Sequence, residues 1–320
     1  MRKCLKRGAL SAALVMFLPI SGNAADLVHV GKASPTSDVM LPVDIGVNAG
    51  IFQKHGLDVE ITTFSGGAKL HQGMEAGAID IGVGAGAEFA LLARGVPELA
   101  ICNAVGPAPF LGVGVGPNSK AKSLDDLKGR RIGVSSNGSL TFWLAQELSR
   151  VKGWGPGGVT PVTTGNAAQN YVAALRTNAI DAFISTTSLS LELADKHEGR
   201  LLAPVTDYTG NMAAGVIFAT KAFIDKNPDQ VKRFLAGWFD TIDYMRHHKD
   251  ETVQMTAKLT GFAPKVESEE YDLTMYMFSK DGKFDAQSLD TLKRSFIDLK
   301  LLDTVPDMST LYTEAYLPAK

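Results

Sequence analysis

Short apolar segments alternate with longer amphipathic segments from about residue 31 to residue 215 of the chain. Short apolar runs between turn residues predict buried strands, whereas apolar positions that recur three and four residues apart predict helices. The alternation indicates an α/β protein with mainly parallel strand pairing. After Gly215 the pattern predicts helices alone, the first beginning at Pro228 with an apolar stripe from Val231 to Met245. These C-terminal helices are expected to cover the back of the first of two lobes, which an internal repeat predicts.

The α/β region contains an internal repeat. Residues 59–80 and 160–181 share a strand that ends in Thr-Thr, a glycine-containing loop, a helix and the sequence Ala-Ile-Asp, at a constant offset of 101. Gly77 and Asn178 occupy the same place in the two copies, and both residue types favour the left-handed conformation that ends a helix. The repeat predicts two similar lobes. The alternative is one α/β domain with common turn chemistry.

Glycine-rich segments at 110–116 and 211–216 bracket the second copy and predict two strands that cross between the lobes. Glycines at such crossings would absorb the rotation of opening and closing. The chain is therefore expected to divide into four parts: residues 1–24 before the first lobe, 25–114 in the first lobe, 115–213 in the second lobe, and 214–320 returning to the first lobe.

Residues 1–24 have the layout of a secretory signal peptide. A basic cluster precedes a 13-residue apolar run, Gly8 to Ile20, and small residues follow at Gly22 and Ala24. This pattern predicts export to the periplasm and cleavage after about Ala24. A retained membrane anchor is the alternative, but the run is short for a spanning helix.

Composition excludes several classes of protein. The 320 residues are 45% hydrophobic, and 32 Lys and Arg face 34 Asp and Glu, a net charge of −2. Such a chain can bury a sizeable core, and without a basic excess it is not expected to bind nucleic acid. Cys102 is the one cysteine beyond the predicted signal peptide, so an intramolecular disulfide is not expected.

The sequence offers little catalytic chemistry. It contains no His-Glu-x-x-His, Cys-x-x-Cys, Gly-x-Ser-x-Gly or Walker-type phosphate motif. His247 and His248 are adjacent on a predicted helix and point about 100° apart, so they are not expected to share one metal. No enzyme activity, cofactor or metal is predicted.

Loops of small residues with hydroxyls or amides follow the predicted strands of both copies. In parallel sheets such loops line the ligand crevice and lead into helix N-termini, whose N–H groups can approach a ligand. The same residue types are also ordinary helix caps. The predicted ligand-binding residues are Ser34, Thr36, Ser37, Asp38, Ser65, Gly66, Gly67, Gly86, Glu88, Asn137, Gly138, Ser139, Asn166, Thr186 and Thr187.

Four charged residues leave the nature of the ligand open. Lys69 and His71 could assist an anion, or lie on a solvated helix face. Asp38 and Glu88 could receive an amine or a protonated ring nitrogen, or only complement a helix dipole. If both carboxylates face the crevice, a strongly anionic ligand is disfavoured.

An ordered set of motifs resembles a known family. They are Val47–Val59, Gly66-Gly67, Gly77–Gly82, Ser123–Val134 and Lys221–Pro228. Together they resemble the periplasmic solute-binding proteins for nitrate, sulfonates, taurine and thiamine-precursor pyrimidines, over about residues 27 to 300.

The resemblance implies a type II periplasmic-binding-protein fold, with two α/β lobes on a two-strand hinge. It also implies a monomer that delivers a small polar solute (a sulfonate, carboxylate, nitrate-like anion or pyrimidine) to the permease of an ABC importer. A ligand-sensing protein that presents its solute to a membrane receptor is one alternative. A pyrimidine-synthesising enzyme of the same fold is another, although those enzymes depend on a cysteine-rich motif that this chain lacks.

Overall fold

A computed structural model describes residues 25–319, apart from residues 36, 65, 138 and 166. The predicted signal peptide lies outside these residues. Among the described helices, none combines the length and apolar character that crossing a membrane requires.

Ten strands and thirteen α-helices make up this part of the chain. The strands are β1 (Asp26–Lys32), β2 (Leu57–Thr63), β3 (Ile81–Gly84), β4 (Glu98–Val105), β5 (Leu111–Val115), β6 (Arg131–Val134), β7 (Thr160–Thr163), β8 (Ala182–Thr186), β9 (Arg200–Pro204) and β10 (Gly215–Thr220).

The helices are α1 (Leu41–Asn48), α2 (Ile51–Lys54), α3 (Gly67–Glu75), α4 (Phe89–Ala93), α5 (Leu140–Val151), α6 (Ala168–Arg176), α7 (Thr187–Asp195), α8 (Thr206–Thr209), α9 (Lys221–Lys226), α10 (Pro228–His247), α11 (Lys249–Thr260), α12 (Pro264–Thr274) and α13 (Ala286–Asp298). Short 3-10 helices span Gly86–Glu88, Leu124–Leu127, Met275–Met277 and Met308–Thr310.

The strands form two five-stranded sheets with the same internal order. The first sheet runs β2-β1-β3-β10-β4 and the second runs β7-β6-β8-β5-β9. The second strand of each order pairs in parallel with both its neighbours, β1 with β2 and β3, and β6 with β7 and β8. The fourth strand of each order, β10 or β5, runs antiparallel to both its neighbours. The α/β class predicted from the sequence is confirmed, but the pairing is mixed rather than mainly parallel, because β10 and β5 give each sheet two antiparallel pairs beside its two parallel ones.

The predicted repeat corresponds to real structural equivalence. Helices α3 and α6 begin and end at positions 101 residues apart, Gly67–Glu75 and Ala168–Arg176. Gly77 and Asn178, just beyond these helices, have φ of 72° and 53°. Both therefore take the left-handed conformation that the sequence predicted at the end of the helix.

The two lobes also share an aspartate just before β3 or β8 that hydrogen-bonds the backbone of the neighbouring strand, β1 or β6. Asp80 Oδ2 accepts a hydrogen bond from the His29 backbone N–H at 2.9 Å, and Asp181 Oδ2 accepts one from the Arg131 N–H at 2.9 Å. The Asp80 N–H donates to the His29 carbonyl at 2.9 Å, and the Asp181 N–H donates to the Arg131 carbonyl at 2.8 Å. The aspartate of the Ala-Ile-Asp sequence therefore repeats because it accepts the same backbone hydrogen bond in both lobes.

The chain passes between the sheets after β4 and again after β9. The first passage leads into β5 of the second sheet, and the second passage leads into β10 of the first sheet. Each of these two strands runs antiparallel to its neighbours. In the second sheet β5 pairs with β8 and β9. The division into lobes at residues 25–114, 115–213 and 214–320 remains a prediction.

The C-terminal helices follow the predicted pattern. Helix α10 begins at Pro228, and Val231, Phe234, Trp238 and Ile242 on its apolar stripe are at most 1% exposed. Helices α10 and α11 pack against α1 of the first lobe, whereas α12 packs against α7 of the second. The helices therefore do more than cover the first lobe, because α12 reaches across to its neighbour.

Candidate functional site

The predicted ligand-binding loops lie at the carboxyl ends of the parallel strands in both sheets. In the first lobe they follow β1, β2 and β3, and in the second they follow β6, β7 and β8. Each lobe therefore presents helix starts on the side where α/β sheets hold ligands. Thr36, Ser65, Gly138 and Asn166 lie outside the described residues.

In the second lobe the loop residues act as helix caps. Ser139 Oγ accepts from the Phe142 N–H at 3.2 Å at the start of α5, and Thr186 Oγ1 accepts from the Leu189 N–H at 3.3 Å at the start of α7. Asn137 is exposed. Thr187 is 1% exposed, and its hydroxyl donates to the Pro109 carbonyl at 2.7 Å, so it ties α7 to the first passage between the lobes. Ligand contacts by these residues remain a prediction.

In the first lobe, Ser34 and Ser37 are partly buried, and the Ser37 carbonyl accepts from the Met40 N–H at 2.8 Å. Gly66 has φ 117° and its N–H donates to the Ala33 carbonyl at 2.8 Å, which joins the loops after β1 and β2. Gly86 is buried where a Cβ would collide with the Ala213 carbonyl. Glycine is thus required at Gly66 for its backbone conformation and at Gly86 for lack of space.

A buried network of three ionisable groups lies beneath these loops. His71 Nε2 is 2.9 Å from Glu88 Oε2, and His71 Nδ1 is 2.6 Å from Glu98 Oε2. The side chains of His71 and Glu98 are 3% and 0% exposed, and that of Glu88 is 11% exposed. Burial acts to lower the pKa of His71, but its hydrogen bonds to the two glutamates outweigh this and raise the pKa to about 9. The imidazole is therefore protonated at neutral pH, and it lies between the two glutamate side chains.

Two glycines make room for the Glu88 carboxylate. A Cβ added at Gly67 or Gly84 would collide with its carboxyl group. Gly67 was predicted to allow ligand approach to the backbone, but the structure places the Glu88 side chain against it. Whether a ligand also contacts Gly67 remains untested.

A second buried pair lies at the end of β1. Lys32 is 2% exposed, and its ammonium pairs with the Asp44 carboxylate in α1. The pair neutralises the buried lysine at the position where β1 leads into the Ser34–Asp38 loop. Lys32 therefore has its charge satisfied within the protein rather than by a bound anion.

A third buried group contains only acids. Asp38 lies close to Glu267 and Glu270 of α12. Burial, together with the charge of Glu267, raises the pKa of Asp38 to about 7. Burial and the nearby Asp38 carboxylate also raise the pKa of Glu270. Glu270 Oε1 accepts from the Ser188 N–H at 3.1 Å in the first turn of α7, so this group spans both lobes.

Sequence reasoning missed Lys32, Glu98, Glu267 and Glu270. Glu98 begins a buried strand, where a charged residue signals a paired partner. Glu267 and Glu270 are three residues apart on a predicted helix and therefore share a face. Nothing in the sequence pattern shows that this face meets Asp38.

Comparison with known proteins places the chain in a family. The NMT1/THI5-like family model matches residues 40–252, well over half of the chain. The chain therefore belongs to the NMT1/THI5-like family.

Two relatives and one solved structure are similar to the chain. The chain is 28% identical over 254 residues to a putative binding protein of Brucella abortus, covering 78% of this chain and 76% of that protein. It is 26% identical over 300 residues to the 4-amino-5-hydroxymethyl-2-methylpyrimidine phosphate synthase of Candida albicans, covering 87% and 84%. The periplasmic aliphatic sulphonate binding protein SsuA from Escherichia coli has a TM-score of 0.75 at 17% identity, covering 90% of this chain and 97% of that chain. The expected two-lobed periplasmic-binding-protein fold is confirmed.

Proposed function

We propose that this protein is the exported solute-binding component of an ABC importer, which holds a small polar solute between its lobes. Family membership and the fold support a solute-binding role. The observation that carries the proposal is the pair of loop sets at the carboxyl ends of two equivalent sheets, joined by only two chain passages. A solute that touches both sets favours the closed arrangement of the lobes, which the permease would recognise.

The charges of the first lobe bear on the class of solute. No lysine or arginine occurs in the loop segments 33–40, 64–66, 85–88, 135–139, 164–167 and 185–186. The described charges at or beneath the first-lobe loops are the buried Lys32–Asp44 pair, Lys69 in the first turn of α3, the His71 network and the Asp38 carboxyl group. A ligand that donates hydrogen bonds to a carboxylate is favoured there over one that carries a fixed negative charge. Within the expected range of solutes we therefore propose a nitrogen heterocycle such as an aminopyrimidine.

A thermal-shift screen over aminopyrimidines, sulfonates, carboxylates and nitrate tests both parts of the proposal. Binding at 100 times Kd stabilises a protein by about 2.7 kcal/mol, which is readily measured. We expect aminopyrimidines to raise the Tm most. A sulfonate that binds more tightly would overturn the proposed solute class. If no compound in the panel raises the Tm, that result would count against the binding function.

Glu88→Gln sharpens the screen, because it removes the charge while keeping a hydrogen-bonding group of the same shape. We expect it to weaken binding of an aminopyrimidine by about tenfold or more. Glu75→Gln, on the exposed C-terminal end of α3, is the matched control and should bind normally.

An enzymatic role is the second candidate, because the Candida albicans relative is named as a synthase. Cys102, the one cysteine among the described residues, is fully buried, and burial raises the pKa of its thiol, so it does not supply a reactive thiolate. Mass spectrometry of each ligand after prolonged incubation with the protein decides between the candidates. Conversion of a bound compound would favour the enzyme.

A further inference from the structure

The acidic group between the lobes has features that neither the fold nor solute binding explains. Asp38, Glu267 and Glu270 each offer one carboxylate oxygen, and these three oxygens lie within 4.8 Å of one another. Glu267 and Glu270 are 3% and 2% exposed. Three carboxylates are thus gathered in a space from which most water is excluded.

Two of the oxygens find no donor outside the group itself. Asp38 and Glu270 hydrogen-bond each other when one of them holds a proton, but once both are ionised, Asp38 Oδ2 and Glu270 Oε2 are buried without a hydrogen-bond donor. The remaining contacts are neutral, since Glu270 Oε1 accepts from the Ser188 N–H and Glu267 Oε1 accepts from the Thr260 hydroxyl.

No positive side chain compensates the group. None of the ion pairs among residues 25–319, outside the four gaps, joins a lysine or arginine to these three acids, and Lys265 of the same helix pairs with Asp195 instead. Buried charge without a counter-charge is strongly unfavourable. A bound cation would supply the missing charge and the missing partners together.

The space at the group has the size of an ion. The cavity that these acids line has a volume of about 40 Å³. That is room for an ion or a few water molecules and not for an organic solute. Thr252, Thr256 and Tyr271 also line it, and their hydroxyl groups donate to backbone carbonyl oxygens.

The chemistry and burial of the donors select among cations. All three acidic donors are oxygens, which hard divalent cations prefer. Mg²⁺ dehydrates reluctantly and usually keeps several waters, whereas Ca²⁺ is readily bound by carboxylate and other protein oxygens. A site in which Glu267 and Glu270 are 3% and 2% exposed therefore favours Ca²⁺.

We propose that Asp38, Glu267 and Glu270 form a binding site for one divalent cation, with Ca²⁺ preferred. The cation would fasten the loop after β1 to α12. Through Glu270 and the Ser188 N–H it would also connect that loop to the first turn of α7 in the second lobe.

Calorimetric titration of the chelator-treated, full-length mature protein with CaCl₂ tests the proposal directly. We expect one equivalent of Ca²⁺ to bind, and the Tm to rise by several degrees in millimolar Ca²⁺ and to return on addition of EGTA. Mg²⁺ should produce a smaller rise at the same concentration. Absence of both heat and Tm change with Ca²⁺, Mg²⁺ and Mn²⁺ would overturn the site.

Two variants and one control localise the response. Glu270→Gln retains an oxygen that can accept from Ser188, and Asp38→Asn retains the shape of the loop residue, so both should fold but lose at least tenfold in Ca²⁺ affinity. Glu269→Gln removes one exposed charge from the same helix and should bind Ca²⁺ as the unaltered protein does. If all three variants bind Ca²⁺ equally, the ion binds elsewhere and the proposal is wrong. If Glu270→Gln raises the Tm while the unaltered protein ignores metals, shared protons rather than a cation hold the acids together.

Discussion

The two lobes share one strand order but differ in what lies beneath their loops. At the repeat offset of 101, His71 of α3 corresponds to Val172 of α6, and Glu88 corresponds to Leu189. The first lobe therefore buries an ionic network where the second buries apolar side chains, with Leu189 only 5% exposed. Because the second lobe builds the same sheet without such a network, the fold does not require it. The buried charges of the first lobe are better explained by a role in its loops than by a role in forming the sheet.

The glycines that contact the Glu88 carboxylate also differ between the two lobes. Gly67 and Gly84, which leave space for the Glu88 carboxylate, correspond to Ala168 and Ser185. No carboxylate occupies the equivalent place in the second lobe, so side chains are tolerated there. A difference in one buried residue thus propagates to two backbone positions that contact it.

The largest expected effect comes from giving the first lobe the residue of the second. His71→Val leaves Glu88 and Glu98 buried without their shared partner, and we expect it to lower the free energy of unfolding by about 3 kcal/mol or more. Val172→Ala, at the equivalent half-buried position, should cost about 1 kcal/mol. Urea denaturation of the two variants measures both values. Similar losses would mean that the network contributes nothing beyond packing.

A pH series isolates the charge of His71. The folded protein holds this proton more tightly than the unfolded chain, because the pKa is raised from 6.5 to about 9. Its stabilisation is therefore complete below about pH 6.5 and is lost as the pH rises through about 9, a decrease of up to about 3 kcal/mol. The difference in unfolding free energy between the unaltered protein and His71→Val at each pH gives the contribution of the His71 proton alone. Parallel profiles for the two proteins would show that the imidazole is neutral in the folded state.

The shared aspartates should behave alike in the two lobes. Asp80→Ala and Asp181→Ala each remove the acceptor for a backbone N–H of β1 or β6, and each should cost about 1–2 kcal/mol. Asp181 also pairs with the Arg131 guanidinium, a half-exposed contact that adds at most a fraction of a kcal/mol. Chemical denaturation tests this, and a loss confined to one lobe would contradict the structural equivalence of the two sites.

The smallest expected effects lie at the helix ends. Gly77 has positive φ and open space where a Cβ would stand, so Gly77→Ala should cost about 1 kcal/mol through backbone conformation alone. Gly77→Asn and Asn178→Gly exchange the residues of the two lobes and should each change stability by only about 0.5 kcal/mol. Thermal unfolding resolves the order of these variants. An equal loss for Gly77→Ala and Gly77→Asn would show that side-chain space, not φ, governs the position.

The sequence allowed prediction of those features that local chemistry determines. The offset of the repeat, the left-handed Gly77 and Asn178, and the start of α10 at Pro228 follow from turn and helix preferences that act over a few residues. The partners of His71 and of Asp38 could not be predicted, because they depend on which face of a strand or helix meets a distant segment. Four of the fifteen predicted ligand-binding residues lie outside the described residues, and the remaining contacts await a bound solute.

The exchange of strands between the sheets has a consequence for biogenesis. β10 lies between β3 and β4, yet it is synthesised more than a hundred residues after them. Until it emerges from the ribosome, the nascent first sheet has a vacant slot with two unpaired strand edges, which are prone to mispairing. Completion of the first half of the molecule must therefore wait for nearly the whole second half.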